Sequence, residues 1–135
     1  MRALAVISAL VFTIAISCST ARKNSDLLAD TAVTADKLFS KDDFDKGFGL
    51  AKQDDCFTCH FVINTENNTG PSFISVAEKY KQVTMFDVEK LAAKIRSGGN
   101  GNWSEITMTS HSNLSKNESF QLIKFVLLTK YYNEL

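Results

Sequence analysis

The chain has 135 residues, 15 of them basic and 15 acidic, so its formal charge at neutral pH is zero. That balance leaves no basic excess for nucleic acid and no acidic block for a polyanionic docking face. The length suits one small domain, close to the size at which a hydrophobic core alone is marginal.

The N-terminus reads as an export signal. Arg2 supplies the positive charge, and residues 3–16 form an uncharged, largely apolar stretch too short for a comfortable membrane span. The stretch ends in Ala15-Ile16-Ser17-Cys18, which resembles a bacterial lipobox, with Ala15 where leucine is usual. The resemblance implies a signal peptide over residues 1–17 and lipidation of Cys18. Ordinary cleavage near Ser17 or Ala21 is the alternative, but lipidation gives the third cysteine a use. Residues 18–39 then read as a lipid attachment site and a polar, small-residue tether, which random-coil scaling extends to roughly 25 Å. A short packed helix starting at Leu27 and Leu28 is the other reading of this stretch. The globular domain is placed at residues 40–135.

Ser40 followed three residues later by Asp43 predicts a capped helix with Phe44, Phe48 and Ala51 on one face. That helix leads into Cys56-Phe57-Thr58-Cys59-His60, the C-x-x-C-H spacing of covalent c-type haem attachment. Two thiols three positions apart on a helical turn share one face, so both can form thioethers with vinyl groups on one haem edge, and His60 lies beneath the iron. A thioredoxin-like pair would want a βαβ setting, which the flanks do not offer. A zinc site would need a fourth ligand, for which His111 is the obvious candidate, and a Cys56–Cys59 disulfide would close too short a loop to stabilise much.

Gly70-Pro71 marks a turn, and Pro71 is the chain's one proline. Ser72 can start a short helix with Phe73, Val76, Ala77 and Tyr80 inward. Asp87 can start another, with Val88, Leu91, Ala92 and Ile95 inward, ending at Gly98-Gly99. Ser115 and Glu118 form a capping box for a last helix carrying Leu122, Ile123, Val126, Leu127 and Lys130. The expected class is therefore all-α, about four helices around one haem. Ten Phe, three Tyr and one Trp suit the lining of a flat macrocycle.

Taken together, Cys56-Phe57-Thr58-Cys59-His60, Gly70-Pro71-Ser72-Phe73, Gly98-Gly99-Asn100-Gly101-Asn102-Trp103, Met108 and the C-terminal helix resemble a class I cytochrome c of the small bacterial type, in the family's order. The resemblance implies the small cytochrome c fold over residues 40–135 and one haem c held through Cys56 and Cys59. It makes His60 the proximal iron ligand and Met108 the distal one, with Met85 and His111 as competitors. It gives the Pro71 carbonyl a hydrogen bond from the proximal imidazole, and Trp103 a place beside the haem with its indole N–H on a propionate. Ser110 and Ser104 stand where the family often has proline and glycine, which leaves this loop less constrained.

The function implied is one-electron transfer, without catalysis, between transient redox partners such as an oxidase, reductase or dehydrogenase. The carrier is expected to be a monomer on the periplasmic side of the membrane, with inner or outer membrane left open. A haem protein binding NO or CO or reacting with peroxide through a labile distal ligand is the alternative, and a subunit of a larger redox complex is a third.

Overall fold

The computed structural model of the chain describes residues 31–67, 69–101, 103 and 106–132. The export signal, Cys18, Leu27 and Leu28 lie outside the described residues. Among the described residues five α-helices follow in order: α1 (Ala35–Leu38), α2 (Lys41–Gln53), α3 (Phe73–Lys79), α4 (Met85–Ser97) and α5 (Lys116–Leu128). A 3-10 turn at Cys56–Thr58 links α2 to α3. Two isolated bridges and no strand occur among these residues, so the all-α expectation holds.

The longer helices are started by reciprocal caps. In α2 the Ser40 hydroxyl accepts from the Asp43 amide and the Asp43 carboxylate accepts from the Ser40 amide, and Ser115 with Glu118 does the same for α5. For α4 the expected start at Asp87 is three residues late. Thr84 is the cap and Asp87 is its reciprocal partner, so the helix begins at Met85. Lys130 also falls beyond the end of α5, which stops at Leu128 with Thr129 as its C-cap.

The core is built on α2 crossing α5. Phe44 and Ala51 from α2 and Leu122, Phe125, Leu127 and Leu128 from α5 are all at most 2 % exposed. Gly47 makes the crossing possible, since a Cβ there would lie 2.5 Å from both the Gln121 carbonyl oxygen and the Phe125 Cβ. Two polar ties fix the same pair: Gln121 Nε2 donates to the Asp43 carbonyl at 2.7 Å, and Lys124 Nζ meets the Asp43 carboxylate at 2.7 Å. Phe125 is the aromatic hub, with ring centroids 5.1–6.2 Å from those of Phe44, Phe48, Phe57 and Phe73. Of the many aromatics expected to line a macrocycle, Phe44 and Phe48 instead pack between helices.

The end of the expected tether is part of the packed domain. Val33 pairs with Val83 by two backbone hydrogen bonds of 3.0 and 2.8 Å, and Ala35 and Phe39 are buried. Residues 33–39 thus belong to the fold, and the boundary placed at 40 moves back at least to Val33. A four-residue helix carries too little periodicity to be read from sequence, and its main anchor lies fifty positions away.

Candidate functional site

After α2 the chain reverses through Asp55, whose φ of 54° lies in the left-handed region that aspartate tolerates better than most residues. The following turn is closed by Thr58 N–H to the Asp55 carbonyl and His60 N–H to the Cys56 carbonyl, both 3.0 Å. With three residues per turn, Cys56 and Cys59 fall one above the other, and both reach the same cavity. Cys56 is half-buried and Cys59 exposed. Burial, followed by the negative charge of Asp54, pushes the Cys56 thiol up to about 11. A thiol so held is protonated at neutral pH, which disfavours zinc binding and disulfide exchange, since both use the thiolate. An uncharged thioether carries no such penalty in the same surroundings.

His60 is fixed by the segment that opens α3. Its Nδ1 lies 2.7 Å from the Pro71 carbonyl oxygen. A carbonyl only accepts, so the proton sits on Nδ1 and Nε2 keeps a lone pair. The His60 and Phe73 rings stack with centroids 5.5 Å apart. Gly70 allows this closeness: a Cβ there would come within 2.4 Å of Cε1 and 2.7 Å of Nδ1. Backbone bonds from Gly70 N–H to Cys59, Phe73 N–H to Phe61 and Ile74 N–H to Val62 register the two segments. The Ser72 hydroxyl, fully buried, donates to Asn64 Oδ1 at 2.7 Å and caps α3.

Met108 is positioned from the end of α4. Gly98 and Gly99 have φ of 64° and 91°, and Gly99 N–H donates to the Met108 carbonyl at 2.8 Å. A Cβ at Gly98 would lie 2.6 Å from the Met108 carbonyl oxygen and the Ser110 nitrogen. The glycine pair expected only to stop a helix also cradles the methionine segment. His111 N–H donates to the Ile95 carbonyl at 3.2 Å, which docks the next part of the loop on α4.

These residues meet around a cavity of about 310 Å³. The Cys56–His60 segment, Pro71, helices α2 to α5 and the loop before α5 all contribute walls, with Phe73, Leu91, Ile95, Leu122 and Phe125 giving an apolar lining. Trp103, Met108 and His111 line it too, whereas Met85 packs against the core outside it. Trp103 is 39 % exposed, so it is a mouth residue and not a core tryptophan. The donor set fits a haem: two cysteines one turn apart, an imidazole with one nitrogen tied back to a carbonyl, and a methionine in the wall of the same cavity.

Sequence reasoning reached Cys56, Cys59, His60, Pro71, Trp103 and Met108, and all six share this cavity wall. It did not reach the contact of Lys79 Nζ with the Trp103 ring, 4.4 Å from the centroid, or the bond from Lys94 Nζ to the Asn100 carbonyl at 2.6 Å. Lys79 carries no local sign of a ring on a distant loop, and Lys94 none of a backbone acceptor just past its own helix.

No protein-family model matches the chain. It is 36 % identical over 81 residues to cytochrome c-552 of Hydrogenobacter thermophilus, a match covering 60 % of this chain and 79 % of that protein. It is 39 % identical over 85 residues to cytochrome c-551 of Azotobacter vinelandii, covering 62 % of this chain and 98 % of the relative. The crystal structure of wild-type Nitrosomonas europaea cytochrome c552 superposes with a TM-score of 0.53 at 31 % identity, over 59 % of this chain and 95 % of that one. With the cavity, the attachment turn and these likenesses in agreement, the chain belongs to the small bacterial class I cytochromes c, monohaem electron carriers that hold haem c covalently through cysteine.

Proposed function

We propose that His60 and Met108 are the axial ligands through which this cytochrome carries single electrons, and that it performs no catalysis of its own. The observation that carries the reading is the His60 Nδ1 to Pro71 carbonyl bond, which leaves Nε2 as the ligating nitrogen in a cavity that also holds both cysteines and Met108. Haem c supplies an iron that cycles between ferric and ferrous. Pro71 holds the imidazole plane and raises its basicity, Met108 offers a soft thioether that favours the reduced state, and the apolar wall keeps water away. Trp103, at the mouth, would give its indole N–H to a propionate. Exposed Cys59 marks the edge at which redox partners dock briefly.

The same reading places the carrier outside the cytoplasmic membrane as a monomer anchored through a lipid on Cys18. Recovery of a Cys18→Ser protein in the membrane fraction, unchanged from wild type, would refute the anchor. The ligand set is tested by visible and near-infrared spectra of the ferric and ferrous holoprotein, with CO added to the latter. A low-spin spectrum with a methionine-to-iron charge-transfer band and no response to CO is expected. Because His111 lines the same cavity, the Met108→Ala and His111→Ala proteins are compared: loss of the band in the first alone supports Met108. Absence of the band in wild type, with loss of six-coordination only in the second, assigns the position to His111.

A further inference from the structure

Helix α4 turns one ridge away from the core. Phe86, Lys90, Ala93 and Ser97 follow one another at helical spacing, which keeps them on one line along the helix, and all four are exposed. Phe86 is 67 % exposed, more than any other large apolar side chain among the described residues, and Lys90 Nζ stands 5.7 Å from its ring centroid. Beyond Phe86 the ridge becomes basic: Lys90, Lys94 and Arg96 line one open groove with Ala93, Ser97 and Ser112. The acids of the helix are engaged elsewhere, Asp87 in the Thr84 cap and Glu89 with Lys116 at 3.6 Å. An apolar ring beside a basic groove is the pattern of a helix that lies on an anionic bilayer. The path of the chain agrees. The Val33–Val83 bonds dock the N-terminal segment one residue before the Thr84 cap, at the end of α4 that carries Phe86.

We propose that the outer face of α4 is a bilayer contact, with Phe86 entering the apolar boundary and Lys90 and Arg96 pairing with anionic headgroups. The inference rests on the proposed lipid at Cys18, which keeps this face beside the membrane. The contact is small and reversible. While it lasts, the haem holds one orientation to the membrane plane, because Lys94 lines both the groove and the haem cavity.

The test uses the lipidated holoprotein on vesicles of phosphatidylcholine with phosphatidylglycerol and on vesicles of phosphatidylcholine alone, treated with a water-soluble acylating reagent. Mass spectrometry reads acylation of Lys90 against that of Lys46, an exposed lysine on α2. On the anionic vesicles Lys90 is expected to react about five-fold more slowly relative to Lys46 than on the neutral ones, and high salt removes the difference. Phe86→Ser, a change at an exposed position that leaves the visible haem spectrum as it is, abolishes the slowing. Equal Lys90 reactivity on the two vesicles, or slowing that persists in Phe86→Ser, overturns the contact. Slowing in native membranes but not on vesicles assigns the face to a protein partner and overturns it likewise. A mature protein whose mass shows no lipid on Cys18 refutes the anchor instead. A titration with anionic vesicles then decides the face alone, Lys90 protection that rises with lipid supporting it and its absence overturning it.

Discussion

At the scale of the residue, a glycine governs the proximal imidazole. The ring of His60 occupies the volume a side chain at position 70 would need, with contacts of 2.4 to 3.0 Å to three ring atoms. Gly70→Ala is therefore expected to turn the ring off the Pro71 carbonyl. It should lower holoprotein stability by about 1–3 kcal/mol, the usual range for overpacking. Denaturant titration reads the loss, and paramagnetic shifts of the haem methyl protons read the turned ring. Neither changing would show that the ring has room elsewhere. Cys56, Cys59 and His60 stand out in the sequence because covalent attachment fixes their spacing, whereas Met108 was singled out only by its place in the family's order of motifs. The steric role of Gly70 was not legible, since Gly70-Pro71 reads locally as a turn and its contact lies ten positions back.

At the scale of the element, α2 carries two glycines with opposite surroundings. A Cβ at Gly47 would strike the backbone of α5, whereas nothing lies within 4 Å of one at Gly49. Gly49→Ala should stabilise the protein by about 0.5–1 kcal/mol through helix propensity. Gly47→Ala gains the same propensity and still loses a net 1–3 kcal/mol or so, because the helices must separate. Chemical denaturation of the pair checks the sign of each; matching signs would mean that the helices do not cross at Gly47.

The first turn of the same helix holds Asp43, whose carboxyl burial alone would push up. Hydrogen bonds from Lys124 and from the Ser40 amide and hydroxyl outweigh that and hold it down at about 2. A carboxylate depressed on folding contributes stability that is fully present above about pH 4 and is lost as pH falls through about 2. Asp43→Asn is expected to weaken the protein at neutral pH by about 1 kcal/mol and to flatten its stability profile across that window, as denaturation at stepped pH would show. Caps of this kind are what sequence reads best, as at Ser40 and Ser115. The Thr84 cap uses the same spacing, but Asp87 is itself a strong cap residue and drew the predicted start to the wrong end of the box.

At the scale of the whole molecule, every long helix contributes a wall to one cavity, so the fold and the cofactor are not separable. Without the haem, the apolar side chains that line this open cavity of about 310 Å³ would face water, at about 25 cal/mol for each Å² left uncovered. A small domain has a total stability of only about 5–15 kcal/mol against which to set that exposure. A Cys56→Ala, Cys59→Ala protein produced without haem is expected to lose fixed near-ultraviolet circular dichroism and cooperative melting while keeping part of its helix signal. A sharp thermal transition equal to that of the holoprotein would contradict this. The sequence conveyed the need for such a filler through length and aromatic content, but not which rings face it, because that depends on how α2 and α5 cross.

The docking of Val33 on Val83 bears on where an anchored carrier can go. Pinned there, the chain enters the globule beside the start of α4. If Cys18 carries the proposed lipid, residues 19–32 separate it from that pivot, and a chain of that length reaches at most about 45–50 Å at 3.3–3.6 Å per residue. The attached globule would then turn about one fixed corner and sweep a shallow cap above the bilayer. Partners whose redox centres lie within that cap would meet it at high local concentration, and those standing further out would lie beyond its radius.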